Sequence, residues 1–366
     1  MGRKNTLCFT DKCYADVKQL HILFSVSAMF TNYFCRRDMK KSQFPIALFL
    51  ICSIVIVSLC SWGFYAHETA SQLAVYKLPT PLRKFFFANI DSITANSVKC
   101  DKRRYTDKQE GPKHFISIEN YGNGAMMTMP HDLNAAMEKY SWDTLKKYGY
   151  VPYQIIIEYD SLVNVFKQKN ADRIIFYADD LAHYIEDANV PLHTTNNYDG
   201  QLTDQKGLHA LWESNIPELE LNTYNLNSKH TATYVKDKSE VVWTALRRAH
   251  ALLPEIFMKE EEVAENFPDN SKYVEKVYHG KKTKMYSDEF AKQYSIALSS
   301  TINDQLNYCS DMVADFWYSA WIDAGKPNLK NLYSSNHKIR KALRKEVRAY
   351  KNNELLKDGL LRANKE

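Results

Sequence analysis

Residues 171–188 read ADRIIFYADDLAHYIEDA, and Pro191-Leu192-His193 follows almost at once. Ile174, Ile175, Ala178, Ala182 and Ile185 recur at three- and four-residue spacing, which predicts a helix with an apolar stripe. His183 and Asp187 lie beside that stripe, four residues apart, so they share a face one turn apart. Gly207 leads into a second predicted helix carrying His209 and Glu213 at the same spacing. Each pair can aim two metal-binding side chains at a single point. Five candidate ligands thus fall within 31 residues, all imidazole or carboxylate and none thiolate. That donor mix suits a hydrolytic zinc site.

Outward from this stretch the chain reads as helix after helix. Residues 67–78 and 82–97 carry apolar residues at helical spacing, with Pro79 and Pro81 between them. Similar patterns occupy 131–147 and 153–169 before it, and about 238–262 and 286–323 after it. Residues 99–129 are irregular, and 194–206 form a polar loop. Strand-like alternation is scarce and no repeat is visible. The expectation is an all-α fold: one multi-helix domain over 62–330, then a basic helical tail at 331–366. In that tail, apolar residues at 339, 343, 347 and 350 sit in a basic setting. The pattern fits a solvated terminal helix with a narrow packed stripe, or a helix making peripheral contact with an acidic membrane surface.

Charge and cysteine are unevenly spread. Of 48 Lys+Arg and 43 Asp+Glu, residues 1–61 hold 8 and 3, and residues 338–366 hold 10 and 4. Residues 62–337 therefore keep 30 basic against 36 acidic side chains, a net charge of −6. A body without basic excess argues against broad electrostatic capture of nucleic acid, and it suits a site that bound divalent cations would neutralise. Only Cys100 and Cys309 follow residue 62, so the body can hold at most one internal disulfide and no CxxC zinc site.

Upstream, Met39-Lys-Lys precedes an apolar run, Pro45 to Leu59, that ends at Cys60-Ser61. A short basic start, an apolar run and a small residue compose a secretory signal at 39–61, with 1–38 as an upstream extension. If 45–60 are retained instead, they anchor the protein to a membrane; if removed, the protein is secreted or periplasmic. Cleavage after Ser61 makes Trp62 the mature N-terminus. Its amine, with a pKa of about 8, and its carbonyl can chelate a metal, and His67 lies five residues on.

Trp62-Gly-Phe-Tyr-Ala-His67, an Asp–His pair, His183-x3-Asp187-x5-His193 and His209-x3-Glu213 follow one another in order. This succession resembles the superfamily of zinc-dependent phospholipases C and single-strand-specific zinc nucleases, across essentially all of 62–325. The resemblance implies a secreted all-α domain with a buried trinuclear zinc cluster. It implies Asp101, His114, His183 and Asp187 at a first zinc, and His193, His209 and Glu213 at a second. Trp62 and His67, with Asp187 bridging, are implied at a third. Asp107 competes with Asp101, whose 13-residue distance to His114 resembles the family's.

The expected activity is hydrolysis of a phosphodiester by metal-activated water, with Asp101 as general base or orienter of that water. A phospholipase C-like substrate is the leading expectation. Glu213 and the single Gly200 in the preceding loop resemble that branch. Trp212 resembles the nuclease branch and keeps single-stranded DNA or RNA as the alternative. From another class, the cluster is a non-catalytic zinc site that fixes the fold.

Overall fold

Two prolines decide where the first helices part. In the computed structural model, which describes residues 64–278 and 281–363, α1 (Phe64–Lys77) ends just before Pro79. Pro79 then sits at the N-cap of α2 (Thr80–Ala88) with Pro81 in its first turn, where a missing N–H costs nothing. The single helix expected over 82–97 is divided at Asn89. Its side-chain amide donates to Phe85 O (2.9 Å), and α3 (Ile90–Asn96) starts at the next residue. α4 (Lys99–Arg103) follows, then an irregular stretch with short 3-10 turns at Gly111–Lys113 and Ile118–Tyr121.

α5 (Leu133–Tyr140) and α6 (Trp142–Tyr148) lead to α7 (Val151–Gln168). Between α6 and α7, Gly149 takes φ +87°, and a Cβ there would meet Phe115 O at 2.2 Å. Only glycine permits that approach, which holds the His114–Phe115 segment against the helices. α8 (Ala171–Ala188) comes next, capped by the Asn170 side chain accepting from Arg173 N.

The helix expected over 238–262 is two, α9 (Lys238–Ala251) and α10 (Leu253–Glu265), parted where Pro254 enters the first turn of the second. Likewise 286–323 is α11 (Asp288–Leu298) and α12 (Thr301–Asp323), interrupted by Ser299 at φ +54°. One antiparallel hairpin, β1 (Tyr273–Tyr278) and β2 (Lys281–Tyr286), pairs Tyr273 with Tyr286. The sequence reading missed it because Lys and Glu interrupt its alternation. Its base is tied down by Tyr286 Oη donating to Glu260 Oε1 (2.8 Å) and by Lys272 on the same oxygen (2.7 Å). The basic tail forms α13 (His337–Lys351), which packs on α1 and α2.

The fold is mostly helical, as expected. Its centre is α8, packed against α7, α12, α1, α3 and α9 at once. From Ala178 to Ala188 every residue is buried, including Asp179, Asp180, His183, Glu186 and Asp187. So many ionisable groups inside a core must be paired, held neutral by burial, or hold a cation. Among the described residues no helix is long and apolar enough to cross a membrane. Cys100 and Cys309 are both buried free thiols and do not pair. The upstream extension 1–38, the signal segment 39–61 and Trp62 lie outside the described residues.

Candidate metal centre

Eight of the nine candidate ligands meet inside the helical core, the exception being Trp62, which is not among the described residues. α1 brings His67, α4 brings Asp101, and the residue after the Gly111–Lys113 turn is His114. α8 and the 3-10 turn Pro191–Thr194 behind it bring His183, Asp187 and His193. His209 and Glu213 lie on a segment that begins as α-helix (Leu208–Ala210) and widens into a π turn (Leu211–Asn215). The wider turn still stacks positions four apart on one face, and such π-bulges recur at functional sites.

One group forms around Asp187. Its Oδ2 lies 2.9 Å from His114 Nδ1 and 3.3 Å from His183 Nε2, and those two nitrogens are 3.0 Å apart. Asp101 Oδ1 completes it, 3.6 Å from His114 Nδ1 and 3.8 Å from His183 Nε2. A second group joins His193 Nε2 and His209 Nε2, 2.9 Å apart, with Glu213 Oε2 at 2.6 Å from His209. The third contains His67 Nε2, 3.1 Å from Glu213 Oε1 and 3.7 Å from Asp187 Oδ1. Asp187 thus spans the first and third groups, as the resemblance implies. Glu213 also spans two groups, the second and third, a role the sequence reading did not give it. Asp107 is exposed and takes the backbone N–H of Gln109 instead, which resolves its competition with Asp101.

Partners behind the rings fix which nitrogen faces inward. His183 Nδ1 donates to Ser97 O (2.7 Å) and His193 Nδ1 to His114 O (2.7 Å). A carbonyl can only accept, so Nδ1 carries the proton and each neutral ring presents an Nε2 lone pair to the group. Ile116 N–H returns a bond to His193 O, locking the two segments together. His67 Nδ1 donates to Glu186 Oε2 (2.7 Å), whose other oxygen takes the Ser71 hydroxyl (2.9 Å). His114 is the reverse case: Nδ1 faces inward and Nε2 points at Glu110 Oε1, 3.7 Å away.

Electrostatics follow from burial and from three carboxylates facing five imidazoles. Burial alone would depress the His193 pKa, but Asp187 and the Glu213 hydrogen bond raise it to about 9. The same contest, with Glu186 and Glu213 as partners, holds His67 well above its ordinary value. Burial prevails at His183, lowering it to about 4. Burial opposes ionisation of Asp187 and Glu213, yet their imidazole neighbours keep both well below the usual carboxylate range. A bound cation would displace the protons that now hold these groups together.

The donor set fits divalent metal. Four triads, His67/Asp101/His183, His114/His183/Asp187, His193/His209/Glu213 and His67/Asp187/Glu213, each bring their ligand atoms within 4.8 Å of one another. Imidazole and carboxylate donors without thiolate are ligands that several divalent cations accept.

No protein-family model matches this chain, and no curated protein matches it.

Over the first and second groups opens a cleft of ≈ 400 Å³ lined by Arg104, His114, Phe115, Ser117, Lys147, Leu192, His193, Asn196, Tyr198 and His209. Arg104, Lys147 and Tyr198 carried no signal in the sequence, since their place depends on loops meeting. Glu110 and Glu186 were also missed. Each had a faint signal: Glu110 lies four residues before His114, and Glu186 lies three after His183. Asp180, one turn before His183 on α8, forms a two-pronged pair with Arg103 (3.0 and 2.7 Å).

Proposed function

We propose that this protein is a zinc-dependent phosphodiester hydrolase of the phospholipase C and single-strand nuclease type. The observation that supports it best is the convergence of eight imidazole and carboxylate side chains from five stretches of chain, with His114, His193 and His209 lining one open cleft. Zinc held by these residues would supply Lewis acidity toward a phosphoryl oxygen and lower the pKa of water toward neutrality. The protein's own residues provide the remainder. Asp101 is the general base or orienter of the attacking water, being the most exposed carboxylate of the set: 25% of its side chain is accessible, against 13% for Glu213 and 2% for Asp187. Arg104 and Lys147 on the cleft wall balance the charge of a phosphodiester and its leaving group. Glu186 holds the His67 ring in ligand orientation by a hydrogen bond, and Glu110 faces His114 Nε2 at 3.7 Å, where its charge favours the same role for His114.

The leading substrate is a phospholipid, and two cations at the cleft favour a head group with negative charge. A second reading, single-stranded DNA or RNA, is favoured by Tyr198, 53% exposed on the cleft wall and able to stack on an unpaired base. The test begins with bis-p-nitrophenyl phosphate. Turnover should vanish on chelation, return with zinc, and fall about 10²–10⁴-fold in Asp101→Asn. Phospholipid vesicles, single-stranded DNA and RNA assayed side by side then separate the substrates. Zinc-loaded protein inert toward all of them would leave the cluster as a structural, non-catalytic metal site.

A further inference from the structure

α13 carries a charge pattern that its packing does not require. Its sequence, HKIRKALRKEVRAYK, turns by about 100° per residue. Lys338, Arg340, Lys341, Arg344, Lys345, Arg348 and Lys351 then fall within one arc of about 160°. Ile339, Ala342, Leu343, Glu346, Val347, Ala349 and Tyr350 fill the opposite arc. The structure keeps this division: Glu346, Ala349 and Tyr350 are buried, Ile339, Leu343 and Val347 are half-buried, and all seven cations are exposed.

The only acid on the helix is turned inward. Glu346 accepts from Tyr76 Oη (2.7 Å) and from Arg362 (2.7 and 3.1 Å), fastening the helix to α1 and to the chain end. Among the described residues, none of the seven cations forms an ion pair. Cations at three- and four-residue spacing repel one another, and those in the first turn oppose the helix dipole. Residues 62–337 meanwhile carry a net charge of −6. A uniformly cationic strip about 22 Å long therefore stands out on a body that has no basic excess.

We propose that this face of α13 is an electrostatic docking surface for an anionic phospholipid bilayer. The apolar stripe is already packed against α1 and α2, so the helix lies on the head groups without inserting. The gathering of seven exposed cations on this one face fixes which side of the protein faces the membrane. A bilayer suits the face better than single-stranded nucleic acid, because the basic arc holds no Phe, Tyr or Trp on which bases could stack, only the imidazole of His337 at its first residue. The inference stands independently of the catalytic reading.

The test is flotation of the full chain with vesicles of phosphatidylcholine alone or with roughly one-third phosphatidylserine, at about 0.1 M and about 0.5 M salt. Phosphatidylserine should strengthen binding, and high salt should remove that gain. Lys341→Glu/Lys345→Glu/Arg348→Glu should cut the serine-dependent part by about 100-fold or more, since each cation near such a surface contributes about fivefold. Lys338→Gln/Lys341→Gln/Lys345→Gln should weaken it less, with thermal unfolding unchanged in both variants. Reversing Lys84, Lys167 and Lys292 changes net charge equally and should have far less effect. Equal binding to both vesicle types, or a serine-dependent gain that survives reversal of α13, overturns the proposal. So does an α13-dependent grip on a single-stranded oligonucleotide with no grip on vesicles.

Discussion

Glu110 shows how a residue outside the donor set can govern it. Its carboxylate is buried, takes the Tyr184 hydroxyl, Arg103 (3.1 Å) and Lys113 (2.7 Å), and faces His114 Nε2. Burial would raise its pKa, yet its hydrogen-bond partners hold it well below the carboxylate range, so it remains an acceptor. His114 must carry its proton on Nε2 if Nδ1 is to serve as a ligand, and a charged Glu110 favours that tautomer. Glu110→Gln should weaken zinc at the Asp101/His114/His183/Asp187 group by about 10–100-fold, leaving the His193/His209/Glu213 group intact. Competition titration against a zinc chelator, with the bound stoichiometry, reads both. Uniform loss at every site would instead mean a general folding defect. In sequence only the four-residue spacing to His114 hinted at this, because Glu110 becomes a partner only once α4, the 3-10 turn and α8 meet.

At the scale of the element, α8 was legible as a helix to the residue, yet its surroundings were not. Its periodicity suggests one apolar stripe and a polar back, whereas from Ala178 onward all of its faces are covered. The polar back is buried because α1, α3 and α4 bring their own polar groups to meet it. The adjoining α7 shows what happens where such partners are incomplete. Glu158 is buried, its Oε1 accepts from Gln154 Nε2 (2.7 Å), and its Oε2 has no hydrogen-bond partner. Burial, with the nearby charge of Asp180, pushes its pKa up to about 7. Its folded pKa lies above the unfolded value of about 4.3, so the folded state binds the proton more tightly. The resulting stabilisation is full below about pH 4 and is lost as pH rises toward 7. Glu158→Gln should therefore raise the unfolding free energy at pH 8 by on the order of 2 kcal/mol, with a much smaller gain at pH 5. Paired thermal melts at the two pH values check this; equal gains at both would show that the carboxylate's charge is not the cause.

For the whole molecule, the body's acidic balance and the buried donor set belong together. Asp187 and Glu213 sit among rings that hold protons in metal's place, and cations bound there would tie α1, α4, α8 and the π-bulged segment to one another. Ligands that bind only the folded state stabilise it by mass action. Prolonged chelation should lower the melting temperature by well over about 5 °C, and equimolar zinc additions should restore it stepwise. A melt indifferent to chelator and to zinc would exclude a metal role in the fold.

The helical character, the approximate limits of most helices and five of the converging side chains, His183, Asp187, His193, His209 and Glu213, were legible in local spacing, and the family resemblance supplied His67, Asp101 and His114. Local spacing creates apolar stripes, caps and i, i+4 pairs, and these need no distant contact to exist. The splits at Asn89, Pro254 and Ser299 were within the chain's local chemistry but were masked by continuous periodicity. Only the tertiary structure decided that Glu213 spans two groups, that Glu110 and Glu186 stand behind His114 and His67, and that Arg104, Lys147 and Tyr198 frame the cleft. Those relations join residues far apart in the chain, through packing that encloses α8, and no local pattern encodes a meeting of that kind.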